Sequence, residues 1–183
     1  FMSKYLPGAA ARISITQRVS VFADLSTVGA PLLLAEVYQR QGRLEEAIGL
    51  MQQMHDSAPW DGAIRLSLAD LLFEDGDDEA VIELATGMSN EDDATLGILH
   101  LKAKALLRSG MASAGLSELS ACLKRTSGRD PELLREIRYD KATALETAGQ
   151  ATKARAEWEK LYADDPGFRD VRERLKRADS SPL

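Results

Sequence analysis

The sequence predicts an all-α fold, a right-handed superhelix of about four helix pairs, with a short non-repeat N-terminal arm and a C-terminal capping helix. An alanine followed seven residues later by a glycine recurs at Ala35/Gly42, Ala69/Gly76, Ala103/Gly110 and Ala142/Gly149. The first three glycines are 34 residues apart and the last interval is 39. A fixed period of this size marks stacked two-helix units, none of which can bury its own apolar face alone. Composition agrees: hydrophobic residues make up 44% of the chain, much of it Ala and Leu, and aromatics only 5%, a mixture that suits helices better than sheets.

Residues 1–30 stand outside the repeat. Arg12-Ile13-Ser14-Ile15-Thr16 and Arg18-Val19-Ser20-Val21-Phe22 alternate with a period of two, which predicts an extended arm with one or two short strands. Pro31 then suits the first turn of a helix, where its missing N–H is no loss. The first unit runs from Pro31 to Ser57 and breaks at Gly42, a helix-terminating glycine. Leu44, Ala47, Ile48, Met51 and Met54 line one face of its second helix. Pro59 closes the unit.

The second unit starts near Trp60-Asp61, with Leu66, Ala69, Leu72 and Phe73 in its first helix, a turn at Gly76, and Ala80, Val81, Leu84 and Ala85 in its second. The acidic linker Ser89-Asn90-Glu91-Asp92-Asp93 supplies N-caps. The third unit carries Leu99, Ala103, Leu106 and Leu107, the turn at Gly110, then Leu116, Leu119 and Leu123. The loop 126–130 absorbs much of the five extra residues in the last interval, and Asp130-Pro131 is a cap followed by a first-turn proline. The fourth unit contains Tyr139, Ala142 and Leu145, the turn at Gly149, then Ala154, Trp158 and Leu161, and ends before Pro166. A final amphipathic helix, Phe168 to Ala178, is expected to cover the last apolar face. The repeat domain therefore spans 31–178, and residues 179–183 read as a disordered tail.

On these residues the chain resembles the tetratricopeptide repeat (TPR) family. That family's unit carries a small residue in its first helix, a large residue three positions later, an alanine in the second helix and a closing proline. Ala35, Tyr38, Gly42, Ala47 and Pro59 fit this pattern, as do Ala142, Leu145, Gly149, Ala154, Trp158 and Pro166. The middle copies depart from it. Val81 (or Ala80, one position early) and Gly115 stand where the second-helix alanine belongs, and neither copy has the closing proline. The run from Asn90 to Thr95 and the last repeat are also similar to a group of bacterial repeat proteins of unassigned function. Ala35, Ala69, Ala103 and Ala142 are expected where neighbouring helices approach most closely, and a larger side chain there would cost about 1–3 kcal/mol in overpacking.

Bulk properties narrow the function classes. A net charge of −6 does not match nucleic acid or an anionic membrane. The single cysteine, Cys122, excludes an internal disulfide, is expected to be a small buried hydrophobe, and is compatible with a cytoplasmic location. No apolar run is long enough to span a bilayer, and the N-terminus lacks the pattern of a signal peptide. Phe1 before Met2 reads as a residue left over from cloning, with the natural chain starting earlier.

Motifs for enzyme chemistry are absent: there is no phosphate-binding GxxxxGK[ST] loop, no GxSxG elbow and no HExxH. The two histidines, His55 and His100, fall in different units, so neither a metal site nor a cofactor is expected.

The resemblance implies a concave groove lined by the first helix of each unit. The family's register assigns to it Leu32, Glu36 and Gln39, then Leu66, Asp70 and Phe73, then His100, Lys104, Leu107 and Arg108, then Tyr139, Thr143 and Glu146. Leu66, Asp70, Phe73, His100, Lys104, Leu107, Arg108 and Tyr139 are the candidate partner-binding set, because aromatic residues and arginine are typical interface anchors. Residues 66–101 contain ten acids and no Lys or Arg, whereas residues 102–141 contain nine Lys and Arg against five acids. This polarity suggests that Lys104 and Arg108 receive an acidic segment. The family's mode of clamping a C-terminal carboxylate is disfavoured, because the one asparagine, Asn90, lies in a linker. The expectation is a non-catalytic scaffold for a protein or peptide partner. The alternative is a homo-oligomerisation module in which Ile13/Ile15 and Val19/Val21 pair edge to edge with another copy.

Overall fold

A computed structural model describes residues 10–14, 20–24 and 28–180. Two short strands, β1 (Ala10–Ser14) and β2 (Ser20–Asp24), form an antiparallel pair in which Ile13 faces Val21. Helices follow without interruption by further strands among the described residues: α1 (Ala30–Arg40), α2 (Leu44–Ser57), α3 (Gly62–Asp75), α4 (Asp78–Leu84), α5 (Asp93–Arg108), α6 (Ala112–Cys122), α7 (Pro131–Thr147), α8 (Ala151–Asp164) and α9 (Val171–Ser180). The first eight pair in order into helix hairpins, and the stack is an α-helical superhelix. Of the arm, Ile15, Thr16, Arg18 and Val19 lie outside the described residues, as do residues 181–183 of the expected tail; α9 reaches Ser180.

Local chemistry sets the helix ends. Asp61 caps α3 by accepting from the backbone N–H of Ala63 (2.9 Å) and Ile64 (3.1 Å). Asp92 accepts from the Thr95 N–H (2.8 Å) while the Thr95 hydroxyl accepts from the Asp92 N–H (2.9 Å), a reciprocal capping box. Asp130 caps α7 ahead of Pro131 in the first turn. At the other end of α3, Gly76 takes φ 91°, a left-handed conformation cheap only for glycine, and the Asp77 N–H closes back on the Leu72 carbonyl at 3.0 Å.

The core is three clusters in series rather than one centre, as expected of stacked units. Ile13, Leu32, Ala35, Ala47, Met51, Leu68 and Leu71 form the first, so the β1 strand is anchored on α1 and α2 through Ile13. The central cluster joins Leu66, Ala69, Val81, Leu96, Ile98, Leu119 and Ile137. The last joins Ala142, Leu145, Ala154, Trp158, Leu161 and Val171, with α9 closing the end of the stack through Val171. Ala35, Ala69, Ala103 and Ala142 are each at most 1% exposed, in keeping with their expected place at the closest helix approaches. Each buried Leu or Ile contributes about 1.5–3 kcal/mol relative to exposure.

The first helices of successive pairs pack on one another, α1 on α3, α3 on α5 and α5 on α7. The second helices pack chiefly on their own partners and on the following first helix, and they splay apart on the outside. One cleft of about 620 Å³ opens between α6 and α8, lined by Ser113, Ser117, Lys141, Lys153 and Glu157. The inner layer of the superhelix is therefore α1, α3, α5 and α7.

Candidate functional site: the inner face of the first helices

Helical periodicity brings Gln39 of α1, Asp70, Phe73 and Glu74 of α3, and Lys104 and Arg108 of α5 onto neighbouring parts of this inner layer. Gln39 donates from Nε2 to the Glu74 carboxylate, joining α1 to α3. Phe73 is half-buried and forms the link from α3 to α5. The Lys104 ammonium lies 4.6 Å from its ring centroid and the Arg108 guanidinium 4.0 Å, both within cation–π range. Arg108 is further fixed by donating from Nε to both carboxylate oxygens of Asp78 at 2.9 Å and from Nη2 to the Phe73 carbonyl at 2.9 Å.

Asp70 sits beside these groups. Burial pushes its carboxyl up to about 6 from an ordinary 3.8; the Gln39 hydrogen bond opposes the rise, Glu74 adds to it, and Lys104 opposes it. Among the described residues no Lys or Arg makes an ion pair with Asp70 or Glu74. A carboxylate held at such cost near a half-buried aromatic ring is an arrangement that recurs at functional positions.

The other expected groove residues are placed differently. Leu66 is fully buried in the central cluster and presents nothing to a partner, because α5 packs directly over that part of α3. Leu107 turns toward α6: its Cγ stands 2.7 Å from where a Cβ on Gly115 would be. His100 is 8% exposed, with Nε2 2.7 Å from Asp140 on α7, and serves as a link between two inner helices. Tyr139 is drawn into the C-terminal cluster. Its ring meets Trp158 edge-on at 5.0 Å and Phe168 at 6.1 Å, and its hydroxyl donates to Asp170 at 2.6 Å. Phe73, His100 and Tyr139 therefore do not form one aromatic surface. Of the eight candidates, Asp70, Phe73, Lys104 and Arg108 are brought together.

Other chemistry-bearing groups are in structural use. Cys122 is 1% exposed, and burial, with a contribution from Glu118, pushes its thiol up to about 12, far from a reactive thiolate. Asn90 donates from Nδ2 to the carbonyls of Cys122 (3.2 Å) and Arg125 (3.3 Å) and accepts at Oδ1 from Arg129 Nε (2.7 Å). It ties the linker before α5 to the loop before α7, a role that a lone asparagine in a linker does not announce in sequence. Among the described residues no three His, Cys, Asp or Glu side chains converge where a metal ion could sit, and no helix is long and apolar enough to cross a membrane.

Comparison with known proteins agrees with this architecture. The sequence profile of the tetratricopeptide repeat family matches residues 38–105. No curated protein matches the chain by sequence. Among solved structures, a crystal structure of MamA is similar with TM-score 0.66 at 16% identity, over 80% of this chain and 82% of that one. The nearly identical TPR-like repeats of a Podosopora anserina protein assigned to the kinesin light chains also give TM-score 0.66, at 19% identity over 86% of this chain and 88% of that one. At these identities the likeness speaks to the fold.

Proposed function

We propose that this tetratricopeptide repeat protein is a non-catalytic scaffold that holds an extended protein segment along the inner face of α1, α3 and α5. The observation that carries this reading is the Phe73 edge, half-buried at the centre of that face and flanked by the charged side chains of Asp70, Lys104 and Arg108. An aromatic anchor surrounded by polar groups is the common anatomy of an interface hot spot. The fold commonly mediates protein–protein interaction, and its members are typically scaffolds rather than catalysts.

The test is a pull-down from the native lysate with wild type and Phe73→Glu, both checked for helicity. Tyr139→Glu is not a clean companion, because Tyr139 belongs to the C-terminal core. A partner retained by wild type and lost by Phe73→Glu supports the groove; a partner retained equally by both rejects it.

A second reading, self-association at the N-terminal end, is favoured by one feature. Leu33, Leu34 and Val37 on α1 are 37%, 42% and 45% exposed, an apolar row on the helix that also covers Ile13. Sedimentation velocity decides it. An oligomer that Leu34→Glu/Val37→Glu converts to monomer supports it, and a wild-type monomer at high concentration ends it.

A further inference from the structure

The charges of the inner face do not balance locally, and the imbalance identifies what the partner must bring. Of the two cations over the Phe73 ring, Arg108 already has an acid, and Lys104 is the one left to act on the carboxylates of α3. Arg108 is chelated by Asp78, and its remaining donors include one on the Phe73 carbonyl. On α1, Arg40 pairs with Glu36 at 2.5 Å. Lys104 lies over the Phe73 ring and acts on Asp70 from α5. Against that one ammonium α3 carries two carboxylates one helical turn apart, Asp70, on which Lys104 acts, and Glu74, which is bonded to Gln39. Their hydrogen-bonding neighbour on α1 is the uncharged Gln39. The groups acting on Asp70 thus come from α1 (Gln39), α3 (Glu74) and α5 (Lys104), and their sum leaves one negative charge unmatched.

We propose that the partner segment inserts a lysine or arginine side chain between Asp70 and Glu74, its aliphatic stem along Phe73 and its cationic head on the two carboxylates. This rests on the groove-scaffold reading and adds the chemistry of the occupant. An acidic segment received by Lys104 and Arg108 is disfavoured, because Arg108 is committed to Asp78 and an incoming carboxylate would stand beside Asp70 and Glu74. Long side chains with a charged tip bury their methylenes on apolar surface while the head finds its counter-charge. The raised Asp70 carboxyl fits the same picture: a cation beside it would pull its proton affinity back down, so that docking releases a proton near pH 6.

The experiment is panning of a phage-displayed random library of roughly nine-residue peptides on the full chain at pH 7.5, followed by titration of the enriched peptides. The expected result is a set of peptides sharing one Lys or Arg position. Replacing that residue by Gln, or Asp70 by Asn in the protein, weakens binding by about tenfold or more, as for removal of one partner from a desolvated charge pair. Enriched peptides that need Phe73 yet share no basic position, or that bind Asp70→Asn/Glu74→Gln within about twofold of wild type, overturn this proposal and leave the groove intact. Enriched peptides indifferent to Phe73→Ala, or no enrichment at all, overturn the groove reading and this one with it.

Discussion

Leu107 on α5 occupies the space that a methyl group on Gly115 of α6 would need: a Cβ there would lie 2.7 Å from Leu107 Cγ, 2.8 Å from Cδ2 and 3.0 Å from the Ala103 carbonyl oxygen. The third repeat thus carries glycine where the repeat pattern calls for a second-helix alanine, and the space is filled from the opposite helix.

Gly115→Ala would gain about 1 kcal/mol in helix propensity and lose about 1–3 kcal/mol to overpacking. We expect a net destabilisation of up to about 2 kcal/mol by urea unfolding. In the Leu107→Ala background the same substitution should lose most of that cost, giving a coupling of about 1–2 kcal/mol in a double-mutant cycle. Additivity of the two changes would show that the contact is not the constraint.

Asn90 holds the linker before α5 to the loop before α7 through Cys122, Arg125 and Arg129. Its replacement by Ala is expected to cost about 1–3 kcal/mol, because the carbonyls and the Arg129 donor lose partners together. Asn90→Asp should not restore stability, since a carboxylate retains the acceptor for Arg129 but has no N–H for the two carbonyls. The urea midpoints of the two variants decide this.

Asp70 makes stability depend on pH in a defined direction. Its carboxyl titrates at about 6 in the folded chain against an ordinary 3.8. Below 3.8 it is protonated in both states and imposes no penalty. Between those values the unfolded chain ionises first, and above about 6 the folded protein carries the whole cost. Asp70→Asn is therefore expected to stabilise the protein at pH 7.5 by at most about 3 kcal/mol, since each tenfold change in proton affinity between the folded and unfolded chain is worth about 1.4 kcal/mol. The gain should fade toward pH 4. Urea unfolding at both pH values checks it, and a gain independent of pH would contradict burial of an ionised carboxylate.

How much of this was legible in the sequence differs from residue to residue. Asp61, Asp92 and Asp130 as caps and Gly76 as a terminator follow from the backbone's need for donors, acceptors and a left-handed turn, so local sequence suffices for them. The burial of the four repeat alanines follows from the register alone. Leu66, Leu107 and Tyr139 share that register with Asp70 and Phe73, yet the structure buries the first in the core, turns the second toward Gly115 and commits the third to Trp158, Phe168 and Asp170. Periodicity assigns a side chain to a face of its helix; it carries no information about what another helix brings to that face.

By itself, then, the sequence determined the class and order of the elements, because repeat spacing, capping and apolar periodicity are short-range properties of the chain. Tertiary structure alone decided which inner-face residues remain available. The pairing of Arg108 with Asp78 spans 30 residues and the bond from Gln39 to Glu74 spans 35. Contacts of that separation exist only once the helix pairs have stacked, so no local pattern in the chain announces which inner-face side chains are already engaged.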